Sequence, residues 1–202
     1  MKVNRREFLH RVGAGSIALA SLPALIDMFK LPALAQAERG FIFHAITAAG
    51  AAGPGQHTLV MGGTGRFDPS RGPGSPVTGG GLFFHFQTAA SPPFPLVASG
   101  TWTARLLTSY REIGTYAGAA GGLGDFVVDI HRVRPSPALI RGAVLHLVCN
   151  VGPGGLSTGE IEGYTLSIPG TDFSAGGTPG PFRQVPPGGL GVTIFLLPES
   201  LT

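Results

Sequence analysis

Apolar and polar residues alternate with a period of two along most of the chain after residue 40, in short segments separated by glycine and proline. This alternation is typical of β-strands with one face on a core, and Gly and Pro mark the turns between them. The pattern predicts eight strands: Phe41–Ala48, Thr58–Met61, Leu82–Thr88, Leu96–Tyr110, Asp125–Val133, Leu139–Val151, Tyr164–Ile168 and Leu190–Leu197. No long amphipathic helix is predicted, so we expect one all-β domain of about eight antiparallel strands, a barrel or alternatively a sandwich.

The alternation also assigns side chains to the two faces of each strand. Phe126, Val128 and Ile130 share one face of their strand, opposite Asp125, Asp129 and His131. Leu145, Leu147 and Cys149 oppose Val144, His146 and Val148, and Leu82, Phe84 and Phe86 oppose Phe83, His85 and Gln87. We expect the uniformly apolar face of each strand to lie on the core. The segment 169–189 has no strand pattern and is expected to be a binding loop, a lid or a disordered excursion.

The N-terminus has a different character from the rest of the chain. The segment Asn4-Arg5-Arg6-Glu7-Phe8-Leu9-His10 resembles the twin-arginine (Tat) export signature, with Phe8 and Leu9 directly after the arginine pair. An apolar stretch follows at 12–26, too short for the ~20 residues of a transmembrane helix. Ala35-Gln36-Ala37 is an A-x-A cleavage site. We expect a signal peptide at 1–37, a mature domain at 38–202, and no stable membrane span after cleavage.

The resemblance implies that the Tat translocase handles the chain during export and that the mature domain is periplasmic, in the cell envelope or secreted. It also changes the charge balance. Of 14 basic and 11 acidic residues, five and two lie in the signal, which leaves nine of each in the mature domain. Net neutrality gives no support for a nucleic-acid or anionic-membrane partner. Cys149 is the only cysteine, so no intrachain disulfide can form.

Two glycine-rich segments look like catalytic or phosphate-binding motifs but lack the required context. Gly155-Leu156-Ser157-Thr158-Gly159 matches the G-x-S-x-G nucleophile elbow, yet no histidine follows it and no strand runs straight into it. Gly62-Gly63-Thr64-Gly65 lacks the lysine and helix of a phosphate loop and is expected to be a turn or bulge. We therefore predict no cofactor-binding motif.

Histidine is the remaining source of chemistry. His44, His85, His131 and His146 each fall within a predicted strand and could converge in a barrel lumen to bind a metal, although their spacing matches neither cupins nor blue-copper proteins. Asp129 and His131 form the best single pair, because they lie two apart on one strand face. They are the candidate catalytic residues if a site exists, and a solvated polar face is the alternative.

One segment of the mature domain, Met61-Gly62-Gly63-Thr64-Gly65-Arg66-Phe67-Asp68-Pro69-Ser70-Arg71-Gly72, resembles the Gly-Gly-Thr-Gly-x-Phe-x-x-x-Arg-Gly segment of dirigent proteins. The segment from Gly114-Thr115-Tyr116 through Gly124-Asp125-Phe126 is loosely similar to a glycine-rich turn of such proteins. Dirigent proteins and allene oxide cyclases share an eight-stranded barrel, so the resemblance implies a barrel here. The matched segment lies early in the mature domain, whereas in that family it lies late.

Three functions are compatible with the sequence. The first is non-catalytic binding of a small ligand or an envelope component by an exported β domain. The second is a dirigent- or cyclase-like enzyme with an apolar barrel interior, and the third is a histidine-based metalloprotein. Whether the histidine and aspartate side chains share a cavity separates these possibilities.

Overall fold

The computed structural model describes residues 38–49, 57–87, 92–151, 157–169, 182–184 and 190–198. The predicted signal peptide and most of the 169–189 segment lie outside the described residues. The described chain forms nine β-strands: β1 Arg39–Ala49, β2 His57–Phe67, β3 Thr78–Gln87, β4 Leu96–Tyr116, β5 Ala119–Arg134, β6 Ala138–Cys149, β7 Gly163–Ser167, β8 Arg183–Gln184 and β9 Leu190–Leu196. One 3-10 turn, Pro69–Arg71, lies between β2 and β3.

All strand pairs are antiparallel, and hydrogen bonding closes the sheet on itself. Strands β1 to β5 pair in chain order, and β9 pairs with both β1 and β5 to complete a ring of six strands. β6 and β7 extend from β5, while β8 pairs with β1. The long strand β5 therefore has β4 on one side and mainly β6 on the other. The prediction of an all-β antiparallel domain is confirmed.

Aromatic side chains fill the space enclosed by the sheet. Phe41 is completely buried among them, with its ring centroid 4.9 Å from that of Phe126 and 6.4 Å from that of Trp102. Phe67 packs edge-on against Phe126 at 5.2 Å. The largest fully buried side chains are Trp102, Tyr164, Phe41, Phe43, Phe67, Phe83, Phe126, Phe182, Phe195, Leu59, Met61 and Leu107. Offset and edge-to-face packing of these rings adds stability beyond the burial of their area.

All eight predicted strands are present, but two local predictions are wrong. Gly62-Gly63-Thr64-Gly65 is neither a turn nor a bulge, because it continues β2 in unbroken register with β3. Its glycines permit close approach, since a Cβ on Gly63 would lie 2.6 Å from the Trp102 ring and would overlap the carbonyl oxygen of Gly80. The 169–189 segment is not without strand structure, because β8 lies within it and Phe182 bridges to Leu166.

The face assignment is confirmed on β5 and wrong on β3. Phe126, Val128 and Ile130 are completely buried, as predicted. On β3, however, Phe83 and His85 are buried, while Leu82 and Phe84 face solvent. Both faces of this strand carry phenylalanine, so the alternation of apolar and polar residues could not decide which face the ring would enclose. No described helix is long and apolar enough to cross a bilayer.

Candidate functional site

An open groove of about 860 Å³ lies on the outer surface of the sheet, over β4, β5 and β6. Its apolar lining comes from Ala104, Leu106, Val127 and Leu139, with Pro76 and Val77 as a wall. Its polar lining consists of Thr103, Arg105, Asp129, His131 and Arg141. The predicted pair Asp129 and His131 therefore does line a cavity, on the outside of the sheet rather than in a lumen.

Two β-bulges shape this groove, and Asp129 lies between them. On one side, Thr103 pairs with Asp129, and the register then shifts so that Arg105 is the extra residue of β4. On the other side, the register shifts between Val128 and Ile130, and Arg141 and Gly142 lie opposite Asp129. Bulges re-aim side chains and are frequent beside functional sites. Here each bulge contains an arginine that lines the groove.

The backbone and the Arg105 side chain hold the carboxylate of Asp129. Arg105 Nε lies 3.7 Å from Asp129 Oδ2, and the Gly142 amide donates to Asp129 Oδ1 at 3.4 Å. Gly142 has φ 74°, a left-handed conformation that favours glycine, so the bulge depends on this residue. No carboxylate lies within ion-pair distance of Arg141 among the described residues, and Arg141 is exposed.

His131 is exposed beside Asp129. Its Nε2 lies 3.4 Å from Thr103 Oγ1, and no hydrogen bond joins its ring to Asp129. The two predicted residues thus share a face and a groove, but each is held by a different neighbour. The His131 ring is available to a molecule that enters the groove.

A second polar cluster lies further along the same outer face, at Asp125, His146 and Glu160. His146 Nδ1 lies 2.6 Å from Asp125 Oδ1, and His146 Nε2 lies 3.0 Å from Glu160 Oε2. Ser109 on β4 donates to Asp125 Oδ2 at 2.5 Å. The cluster joins β4, β5, β6 and the segment before β7. It is about 13 Å from Asp129 along β5, at four residues of ~3.3 Å each.

The two carboxylates favour the charged imidazolium form of His146. Its hydrogen bonds to Asp125 first, and then to Glu160, raise the pKa of His146 against the opposing effect of burial. The hydrogen bond from His146, assisted by Ser109, lowers the pKa of Asp125. Because both ring nitrogens donate, His146 cannot accept a proton from a substrate without losing one of these contacts. The two carboxylates therefore hold the His146 ring in a structural role, and we call this arrangement the His146 clamp.

Another histidine pair is buried inside the sheet. His57 Nδ1 lies 2.8 Å from His85 Nε2, and the ring of Phe182 packs edge-on against His85 at 5.3 Å. Burial, and then the neighbouring His57, lower the pKa of His85 to about 4. Burial also lowers the pKa of His57. The pair is therefore neutral at pH 7, with one imidazole N–H donating to the other ring.

The four histidines considered as metal ligands lie in separate places. His85 is inside the sheet, His44 and His131 are exposed on its outer surface, and His146 is held by carboxylates. Within the described ranges, no group of three or more His, Cys, Asp or Glu side chains has the geometry to hold a metal ion.

Two further candidate nucleophiles, Ser157 and Cys149, show no sign of activation. Ser157 is exposed, and its Oγ accepts from the Gly159 amide at 3.2 Å within a local turn. Asn150 organises the neighbouring residues by accepting from the Thr158 amide and donating to the Glu160 carbonyl, both at 2.8 Å. Burial raises the pKa of the Cys149 thiol to about 12, so this thiol stays protonated and inert.

Sequence reasoning missed several residues of these sites. Arg105 and Arg141 acquire their positions from bulges, which leave no clear trace in an alternating pattern. Glu160 lies outside any strand and reaches His146 only through the fold. His57 could have been found, because it continues the alternation of Leu59 and Met61 by one step.

Comparison with family models, with curated proteins and with solved structures finds no significant match to this chain.

Proposed function

We propose that this chain is an exported, non-catalytic β domain that binds a small amphipathic anion in the outer groove over β4, β5 and β6. The observation that carries the proposal is the combination of an apolar floor with two arginines placed by bulges on either side of Asp129. A groove of about 860 Å³ lies within the range that small-molecule sites occupy.

The lining indicates the chemistry of the ligand. Leu106, Val127 and Leu139 offer apolar surface for a hydrocarbon or ring portion. Asp129 partly neutralises Arg105, whereas Arg141 has no carboxylate partner among the residues described. A planar guanidinium binds carboxylate or phosphate oxygens through paired hydrogen bonds. A ligand with an apolar body and one anionic group fits both features.

Binding without catalysis is favoured by how the polar groups are held. Asp129 accepts from Gly142 and is near Arg105, and His131 contacts the Thr103 hydroxyl at a distance of 3.4 Å. The hydroxyl–imidazole contact that opens onto the groove, Thr103 Oγ1 to His131 Nε2, is long at 3.4 Å, and no described carboxylate hydrogen-bonds the His131 ring to orient it as a base. The aromatic filling of the enclosed space favours the outer groove over an interior site of the dirigent or cyclase type.

Octanoate, an amphipathic carboxylate, is a suitable probe below its micelle concentration. In a two-dimensional NMR titration of the full chain, we expect shifts centred on residues 103–106, 127–131 and 139–141. Leu106→Glu places a negative charge on the groove floor and should abolish them. Leu82→Glu is the matched control, because Leu82 is exposed on the neighbouring strand outside the groove. Shifts confined to interior residues, or unchanged in Leu106→Glu, would overturn the proposal.

A further inference from the structure

The charges of the described residues are sorted along the strand direction, although the chain from residue 38 onwards is neutral overall. The strand pairing defines two ends of the sheet. The β3–β4 and β5–β6 connections lie at one end, which we call the arginine end, and the β4–β5 turn at Ala117–Gly118 lies at the other. At the arginine end, Arg134 pairs with Ser99, and Arg132 pairs with Gly100 and Ala138.

Carboxylates concentrate in the opposite half. Of the seven described carboxylates, Asp129 is the only one in the half that contains the arginine end. The other six are Glu38, Asp68, Glu112, Asp125, Glu160 and Glu162. Two arginines in that opposite half form ion pairs, Arg39 with Glu112 at 3.3 Å and Arg71 with Asp68 at 3.2 Å, whereas Arg111 is exposed and forms none with a described carboxylate.

In the half that contains the arginine end, Arg105 lies near Asp129 at 3.7 Å, but the other arginines have no carboxylate partner among the described residues. Arg132 donates to the carbonyl oxygen of Ser136 at 3.0 Å, which leaves its charge uncompensated. Arg134 and Arg141 are exposed and form no ion pair with any described carboxylate. Arg183, opposite Ala48 near the last residues of β1, adds a further exposed positive charge.

Exposed apolar side chains lie among these arginines. Phe94 and Leu96 lie where the chain enters β4, and Val133 lies between Arg132 and Arg134, with exposures of 42%, 43% and 60%. Phe84 and Leu139, on the neighbouring strands β3 and β6, are also exposed. The backbone places these apolar side chains close to one another. The Gln87 amide donates to the Pro95 carbonyl, which joins β3 to the start of β4, and Ser99 pairs with Arg134, which joins β4 to β5.

We infer that the arginine end docks onto an anionic lipid surface, with Phe94, Leu96 and Val133 entering the interface and Arg132, Arg134 and Arg141 contacting the headgroups. Exposed apolar side chains grouped together mark an interaction surface. The combination with unpaired arginines matches the two components of interfacial membrane binding, apolar insertion and attraction to anionic lipid. The acidic opposite half would orient the domain, since it is repelled by the same surface.

Vesicles of phosphatidylglycerol and phosphatidylcholine test this inference with the full chain. Trp102 is the only tryptophan and is buried, so Phe94→Trp introduces an exposed local reporter. We expect its emission to shift to the blue with vesicles containing phosphatidylglycerol, and the shift to disappear in high salt. A reporter at this position responds to the arginine end and not to the apolar stretch 12–26.

Matched substitutions at the two ends complete the test in vesicle co-sedimentation. Arg134→Gln should weaken binding about fivefold, because one arginine near an anionic surface is worth ~1 kcal/mol. Arg111→Gln, at an exposed position nearer the β4–β5 turn, should leave binding unchanged. Phe94→Ser should weaken vesicle binding more than Arg134→Gln does. Tyr116 is 52% exposed and lies beside the β4–β5 turn, so Tyr116→Ser should leave vesicle binding unchanged. Equal binding to pure phosphatidylcholine, equal losses at both ends, or preference for single-stranded DNA over vesicles would overturn the inference.

The proposed groove ligand and the lipid surface share Arg141, but Phe94 and Arg134, the residues at which lipid binding is tested, do not line the groove. Leu106→Glu should abolish the chemical-shift changes caused by octanoate. Arg134→Gln should weaken vesicle binding without changing octanoate binding, because Arg134 does not line the groove. The two experiments can therefore fail separately.

Discussion

Phe83 and Phe84 are neighbours in the chain but lie on opposite sides of the sheet, with 1% and 41% of their surfaces exposed. Phe83→Ala should therefore lower the free energy of unfolding by about 3–4 kcal/mol, because it leaves a cavity in the aromatic core. Phe84→Ala should lower it by less than about 1 kcal/mol. Urea denaturation of both variants measures the difference. Equal losses would mean that the β3 register is not the one described.

The close approach of β2, β3 and Trp102 predicts that Gly63 cannot be replaced. A Cβ at this position would overlap the Gly80 carbonyl and lie 2.6 Å from Trp102 Cζ2, so Gly63→Ala should cost at least about 2–3 kcal/mol. Gly121→Ala is the control, since its nearest neighbour would be the Cys149 carbonyl at 3.4 Å. It should stay within about 1 kcal/mol of the parent chain in thermal or urea unfolding. A well-tolerated Gly63→Ala contradicts the packing of Trp102 on the glycine strands.

The clamp at His146 predicts a pH-dependent contribution to stability. The pKa of His146 is raised in the folded state, so its stabilising contribution is fully present below the unfolded-state pKa of 6.5. The contribution is lost as the pH rises through the folded-state pKa. His146→Gln should cost about 1 kcal/mol at pH 6, because its partners are partly exposed, and less at pH 9. Urea midpoints at the two pH values give the comparison. A loss that grows towards pH 9 would show that His146 is not held as the cation.

The buried pair of His57 and His85 predicts that the free energy of unfolding decreases as the pH falls. Because the pKa of His85 is lowered to about 4, stability is complete above pH 6.5 and is lost as the pH falls towards 4. The unfolding free energy should fall by about 1.5 kcal/mol between pH 6.5 and 5, because the slope approaches ~1.36 kcal/mol per pH unit only below pH 6.5. His85→Leu should flatten this slope. His44→Asn, at an exposed position, is the control, and a slope that survives in His85→Leu contradicts burial of the pair.

The N-terminal motif predicts the route of export. Replacing Arg5 and Arg6 together by Lys should prevent export of the full chain in a bacterium with a Tat system, because the resemblance rests on the arginine pair. Immunoblots of periplasmic and cytoplasmic fractions report the outcome. Export that continues in the double variant would show that another route is used. A processed product that does not begin after Ala37 would show that the cleavage site is elsewhere.

The fold was largely predictable from sequence because one-sided burial imposes period-two alternation on β-strands. That signal identifies β5 and β6 well, since Asp125 and His146 oppose wholly apolar faces. It fails on β3, where apolar residues occupy both faces. It also fails within β2, where the glycines were predicted to form a turn or bulge. Gly63 instead allows the strand to pack closely against Trp102.

The candidate site was only half predictable. Asp129 and His131 were found because alternation places them on one face, and both line the groove. Their neighbours Arg105 and Arg141 were not found, because bulges depend on the pairing of strands distant in sequence. The separation of basic from acidic residues along the strands could not be predicted for the same reason. It depends on how the strands pair, and the net charge contains no information about that pairing.

The central claim is that a small amphipathic anion occupies the outer groove, and native mass spectrometry of the exported protein, purified without detergent, tests it most directly. We expect a bound molecule of ligand mass on the parent protein and on Leu82→Glu, and its absence from Leu106→Glu. Tandem dissociation of the complex should release an anion with an apolar portion. A parent protein that carries no ligand from the cell, or a Leu106→Glu variant that carries the same ligand, would contradict the claim.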